Sequence, residues 1–160
     1  MEKKRLFVDL DNTLVDFQSG IDKVDPKTRE HFTSLWREAY KDGKEEWDEV
    51  PGIFALMDPM PGGIEAYREL AAKYDTYILS TAPWGNPTAW SDKLQWVKRH
   101  LGDVAYKRLI LSHHKNLCHG DYLIDDRPGH RGVDKFSGEV LHFGKDGKFK
   151  EWKAVLEYLG

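Results

Sequence analysis

KRLFVDLDNTLVDF, Lys4 to Phe17, decides the fold of this 160-residue chain. Leu6, Phe7 and Val8 form a short apolar run suited to a buried strand, and Asp9 ends it. Asn12 follows where the chain must turn sharply, since asparagine tolerates left-handed backbone angles. Asp9 and Asp11 therefore lie at the carboxyl edge of a sheet, the edge at which open α/β sheets bind their ligands. One carboxylate there can attack an electrophile while the other moves protons, with a hard cation between them to quench the repulsion. A strand followed by a solvated acidic turn would read the same way, so the remaining segments decide between the two.

Asp25 and Pro26 pair as N-cap and first-turn residues and predict a helix to about Lys41, with Phe32, Leu35, Trp36, Ala39 and Tyr40 on one stripe. The charged segment KDGKEEWDEV ends it, and PGIFALMDPMPGG follows with proline and glycine at both ends. Asp16 to Met60 thus reads as a small, mainly helical insertion, and residues 1–15 with 61–160 as the core domain. Ile64, Tyr67, Leu70 and Ala71 mark a second amphipathic helix leading to a strand at Tyr77 to Leu79, which gives out at Ser80 and Thr81. A third helix carries Trp90, Leu94, Val97 and Leu101 and stops near Gly102. Strands follow at Leu109 to Leu111, Tyr122 to Ile124 and Val140 to Phe143, and a helix from Glu151 to Leu159 closes the chain. Strands alternating with helices predict parallel pairing and a three-layer α/β/α sandwich with a Rossmann-like sheet. In such a sheet Asp9 with Asp11, Ser80 with Thr81, and Asp125 with Asp126 converge on one rim.

Composition narrows the function classes. Charged residues at 32% and hydrophobic residues at 40% suit a soluble globular chain and argue against disorder and membrane spans. A net charge of -3 gives no reason to expect a nucleic acid polymer as partner, while a small phosphate ester with its own magnesium remains compatible. Cys118 is the single cysteine, so an internal disulfide is impossible, and a reducing cytoplasm is the expected location. The apolar run near the start is far shorter than the roughly 7–15 residues of a signal-peptide core. Six tryptophans are spread along the chain, mostly as expected core or helix-face anchors. His113 and His114, adjacent on an extended segment, point to opposite faces and are expected not to share an ion; His119 is likewise read as a non-ligand. His130 and Arg131 read as a solvated loop at the rim, with substrate contact as the alternative.

In order along the chain, DLDNTL, Ser80-Thr81 after YIL, Lys115, and IDDR from Ile124 to Arg127 resemble the four motifs of the haloacid dehalogenase superfamily of phosphohydrolases. DNTLVDF, PGIFALMDPMPGG, DKLQWVKRHLG and GDYLIDDR bring the likeness closer to the 5'(3')-deoxyribonucleotidase family. The resemblance implies Asp9 as the nucleophile that forms an aspartyl-phosphate and Asp11 as the acid and base. Ser80 or Thr81 would donate to a phosphoryl oxygen, and Lys115 would hold the nucleophile and the transferred group. Magnesium would be held by Asp9, the backbone carbonyl of Asp11, Asp125 and waters, with Asp126 orienting this set. In that family aromatic residues after the first motif and in the cap sandwich the base. Phe17, Trp47 and Phe54 are candidates for this role, and packing of the insertion onto the core is the competing reading. Lys93 and Trp84 are further candidate contacts to phosphate or sugar. The expected partner is a deoxynucleotide acting as a small phosphate monoester, on a monomer or homodimer without membrane or nucleic acid polymer. This chain departs from the animal enzymes in a shorter cap, in STAPWGNP after the second motif, and in Asn12 where they carry glycine. Dehalogenases lack the acid/base aspartate two residues after the nucleophile, so Asp11 favours phosphoryl transfer. The alternatives are another small phosphate ester, such as a sugar phosphate, and a non-catalytic phosphate-binding module.

Overall fold

The computed structural model describes residues 1–160. In chain order the elements are β1 (Arg5–Val8), β2 (Val15–Asp16), α1 (Phe17–Asp22), α2 (Pro26–Ala39), β3 (Asp58–Pro59), α3 (Gly63–Lys73), β4 (Asp75–Ser80), α4 (Pro87–Leu101), β5 (Leu109–Leu111), β6 (Tyr122–Asp125), β7 (Glu139–His142) and α5 (Trp152–Leu159). Strands β5-β4-β1-β6-β7 form one sheet in that order, every pair parallel. β1 is central and must bury both faces, hence its unbroken apolar run. Leu6 and Val8 enter the larger core cluster, and Phe7 enters the smaller one on the opposite face. The chain runs from β1 outward to β5, then returns to the other side of β1 to lay down β6 and β7. The strand order therefore reverses between β1 and β6, and a crevice opens beyond their carboxyl ends.

The two faces are covered unequally. Helices α3, α4 and α5 pack on one face through Tyr67, Leu70, Trp96, Leu101, Trp152 and Val155. On the other, Phe7, Leu79 and Leu123 are sealed by Val133 and Phe136. Here the cover is made by the 3-10 turns Lys115–Leu117 and Val133–Lys135, because the short connections after β5 and β6 carry these turns in place of full helices. The parallel α/β class holds, with a thin third layer in place of a helical one. No helix is long and apolar enough to cross a membrane.

Between β1 and α3 the chain forms α1, α2 and the 3-10 turns Trp47–Glu49 and Ile53–Leu56, and its base is closed where Val15 and Asp16 of β2 pair antiparallel with Pro59 and Asp58 of β3. Helix α1 was not foreseen, being shorter than two helical turns; Asp16 starts it by accepting from Ser19 N at 3.3 Å. Gly20 of α1 sits against Met57, where a Cβ would lie 2.6 Å from Cγ. In α2 the expected apolar stripe narrows: Trp36 is buried and Phe32 partly so, while Leu35 and Ala39 are exposed because no element packs over that side. α4 is likewise rotated from its expected face, burying Ala89, Lys93, Trp96, Val97 and Leu101 while Leu94 is exposed.

Candidate active site

Asp9 follows β1 directly, its amide donating to the Ile124 carbonyl of β6 at 3.0 Å, so the carboxylate is fixed by the sheet itself. A tight turn follows. The amides of Thr13, Leu14 and Val15 all donate to the Leu10 carbonyl, and Asn12 takes φ +58°, in the left-handed region where asparagine is among the tolerated residues. This turn folds Asp11 back beside Asp9, and both line one cavity of about 310 Å³. Thr13, fully buried, sets its hydroxyl 3.5 Å from Asp9 Oδ2 and its carbonyl against the Trp152 indole at 2.8 Å.

Two buried lysines organise three carboxylates. Lys115 Nζ bonds to Asp9 Oδ1 at 2.9 Å and to Asp125 Oδ2 at 2.7 Å. Burial opposes charge on Lys115, but Asp9 and Asp125 outweigh it and hold the ammonium above its ordinary range. Its backbone is held too, since its amide donates to the carbonyl of Arg131, itself at φ +55°. Lys93 projects from α4 and gives its three bonds to Asp11 Oδ2, Ser80 Oγ and Thr81 O, each at 2.8 Å. An ammonium has three donors, so Lys93 has none left for a substrate.

The remaining charge is uncompensated. Burial raises Asp11, with Lys93 working against it and Asp9 adding to it. Burial and the neighbouring Asp9 also raise Asp125 and Asp126. Asp9, Asp125 and Asp126 each offer an oxygen, all within 4.8 Å of one another. Clustered carboxylate oxygens with net negative charge suit a hard divalent cation. Asp125 already uses both oxygens, Oδ2 on Lys115 and Oδ1 on the Arg127 amide at 2.8 Å. Asp126 has no lysine or arginine partner, and Asp125 keeps its place in the oxygen cluster while also meeting Lys115. Asp11 directs its side chain to Lys93 and lies outside the three-carboxylate cluster.

Other expected residues divide clearly. Phe17 and Trp47 line the cavity. Phe54 is buried behind Phe17, edge to face at 5.7 Å, with the Lys93 ammonium 4.6 Å above its ring, so it supports the wall without facing the cavity. Trp84 is 84% exposed, meets His113 edge to face at 5.9 Å and does not line the cavity, because its loop turns it outward. Thr81 lines the cavity but gives its hydroxyl proton to the Ser112 carbonyl at 2.7 Å. Ser80 accepts from Lys93 and keeps a proton with no protein acceptor, just beneath the floor. His130 and Arg131 line the cavity with Arg127, as do Glu45 and Asp48 of the insertion. Glu45 and Asp48 were not foreseen; their signal was the acidic run flanking Trp47, which read as a helix-ending charged segment.

The fold is shared with a candidate hydrolase of the haloacid dehalogenase type from Bacillus subtilis, solved bound to magnesium (TM-score 0.64, 11% identity, all of both chains covered). A haloacid dehalogenase-like hydrolase from Streptococcus pneumoniae is also similar (TM-score 0.58, 19% identity, 98% of this chain and 90% of that one). The chain thus has the fold of the haloacid dehalogenase-like class, with paired aspartates at the end of its central strand, a buried lysine and a second acidic pair at the rim. Within that class, the sequence model of the family described as "5' nucleotidase, deoxy (Pyrimidine), cytosolic type C protein" matches residues 3–149, and the chain belongs to that family. It is 51% identical over 158 residues to a candidate 5'(3')-deoxyribonucleotidase of Vibrio phage KVP40, covering 99% of this chain and 85% of that protein. To the human cytosolic-type 5'(3')-deoxyribonucleotidase it is 32% identical, covering 82% and 74%. The protein is accordingly a phosphoric monoester hydrolase of the 5'-nucleotidase type.

Proposed function

We propose that this enzyme hydrolyses deoxyribonucleoside 5'- or 3'-monophosphates through an aspartyl-phosphate on Asp9, in a reducing cytoplasm. The observation that carries the reading is the pairing of Lys115 with Asp9 and of Lys93 with Asp11, which gives two adjacent carboxylates different environments. Magnesium fits the oxygen cluster of Asp9, Asp125 and Asp126, of which Asp126 alone has no lysine partner, with the Asp11 carbonyl as a further donor; when bound it would supply positive charge to the phosphoryl oxygens. Asp125 holds Lys115 in place.

Lys115 fixes the rotation of the Asp9 carboxylate, so its free oxygen meets phosphorus in line with the leaving group. The Asp9 oxygen to phosphorus bond forms as the ester bond breaks. Burial pushes Asp11 above its ordinary range against the pull of Lys93, and its Oδ1, buried without a hydrogen-bond partner, is the oxygen assigned to pass a proton to the leaving oxygen. Asp11 then takes a proton from the water that opens the aspartyl-phosphate, releasing phosphate and restoring Asp9. Ser80 or Thr81 donates its hydroxyl proton to a phosphoryl oxygen; Thr81 faces the cavity, and Ser80 lies behind it against Lys93. Residues 16–60 act as a cap on the core formed by residues 1–15 and 61–160, with Phe17 and Trp47 against the base. Stacking on such rings contributes about 1–3 kcal/mol per base.

A panel of phosphate esters with purified protein and magnesium tests this reading. Preference for dUMP or dTMP over sugar phosphates is the expected result; preference for sugar phosphates overturns the substrate assignment.

A further inference from the structure

Asn86 stands at the N-cap of α4, where an asparagine side chain ordinarily accepts from an amide of the first turn. Here it makes no such bond. Its side chain is turned away from the helix and is 1% exposed. Nδ2 donates both protons to the cap, to the carbonyls of Asp48 at 2.9 Å and Val50 at 3.1 Å. Oδ1 accepts from the Thr88 hydroxyl at 2.7 Å, and that hydroxyl oxygen accepts from the Gly52 amide at 2.9 Å. The amide thus ties two backbone groups of the cap to the start of α4 directly and a third, the Gly52 amide, through Thr88. Gly85 beside it permits the close approach, since a Cβ there would lie 2.7 Å from Glu49 Oε2. Further along α4, the Trp96 indole donates to the Met57 carbonyl at 3.0 Å, extending the attachment to the far end of the cap.

The two segments joined by Asn86 both contribute walls to the cavity. Its own loop begins at Thr81 and Pro83, and the turn it holds carries Trp47 and Asp48; all four line the cavity, while Asn86 does not. We propose that Asn86 is a positioning residue for recognition of the nucleoside: it sets the distance between the Trp47–Val50 turn and the phosphate site without touching substrate. The assignment rests on the nucleotide reading of the cavity. It makes the cap of this chain a fixed wall latched to α4, with selectivity written partly into a loop outside the cavity.

Asn86→Asp is the discriminating variant. Aspartate caps helices as well as asparagine, so α4 is preserved, while both donors to the cap are removed. KM for the preferred deoxynucleotide should rise about tenfold or more, the scale of one to two lost hydrogen bonds. kcat/KM for p-nitrophenyl phosphate, which has neither base nor sugar, should stay within about twofold, while Tm falls because two cap carbonyls lose their donor and a carboxylate faces them. Asn86→Ala should give the same split without an added charge. Parallel losses on both substrates, or an unchanged nucleotide KM, overturn the proposal. Hydrogen exchange separates its failure from that of the nucleotide reading. If the wild type rejects nucleotides, the latch still requires faster exchange in residues 47–57 of both variants, the Gly52 amide included, and unchanged exchange there overturns it.

Discussion

Replacing Lys93 by Met removes a cation of similar length that is 2% exposed and bonded to Asp11, Ser80 and Thr81. Asp11 is then a buried carboxylate without a counter-ion, a situation that typically destabilises by about 3–5 kcal/mol. Two features set the value. The Asp11 side chain keeps 29% exposure toward the cavity, which favours the lower end. Asp11 can also escape by binding a proton, and from an ordinary value of 3.8 that escape costs at most about 4 kcal/mol at pH 7 and under about 2 at pH 5. A loss near 3 kcal/mol at pH 7 follows, or about 6–12 °C in Tm. The sign with pH is fixed. Asp11 is raised in the folded state, so its stabilising contribution is complete below the unfolded value and disappears as pH rises; the deficit must shrink on acidification. Urea titrations of the wild type, Lys93→Met, Asp11→Asn and the double variant form the assay. The double variant should recover much of the loss, leaving a coupling of about 2–3 kcal/mol. Additive losses, or a Lys93→Met protein within about 0.5 kcal/mol of wild type at pH 7, refute the pairing.

Asp9→Asn should abolish turnover, and appreciable magnesium-dependent activity in that variant would exclude Asp9 as nucleophile. Asp126→Asn should raise the magnesium concentration for half-maximal activity more than about a hundredfold, exceeding the roughly 10–100-fold of an outer-shell change, whereas Asp125→Asn should chiefly lower stability by loosening Lys115; the opposite pattern makes Asp125 the principal ligand. Phe17→Ala should raise KM for nucleotides far more than for an aryl phosphate, while Trp84→Ala should leave both within about twofold, as steady-state kinetics on the two substrates will show.

The central strand and its acidic turn were legible because β1 buries both faces and must be apolar until the chain emerges at Asp9. The acidic pair after β6 was legible as a pair, but not in its internal division. Which of Asp125 and Asp126 meets Lys115 depends on where the strand ends and how its last side chain projects. Lys93 left a signal that was misread. It lies four residues after Ala89 and four before Val97 on the buried face of α4, where a lysine needs an internal anion. Trp84 and Phe54 failed as direct contacts for opposite reasons, one thrown outward by its loop and the other held behind Phe17. The acidic wall of Glu45 and Asp48 was hidden because local charge says nothing about which cavity a turn will face.

The thin cover on the second face gives one short stretch of chain two duties. Arg127, His130 and Arg131 wall the cavity, and Val133 and Phe136, only a few residues on, seal the apolar surface of Phe7, Leu79 and Leu123. The carbonyl of Arg131 meanwhile pins the backbone of Lys115. Loosening the seal therefore disarms the reaction centre before the sheet is threatened. Truncating Phe136 would be felt first as slowed turnover in a protein still folded, so this patch of core belongs to the catalytic apparatus as much as to the scaffold.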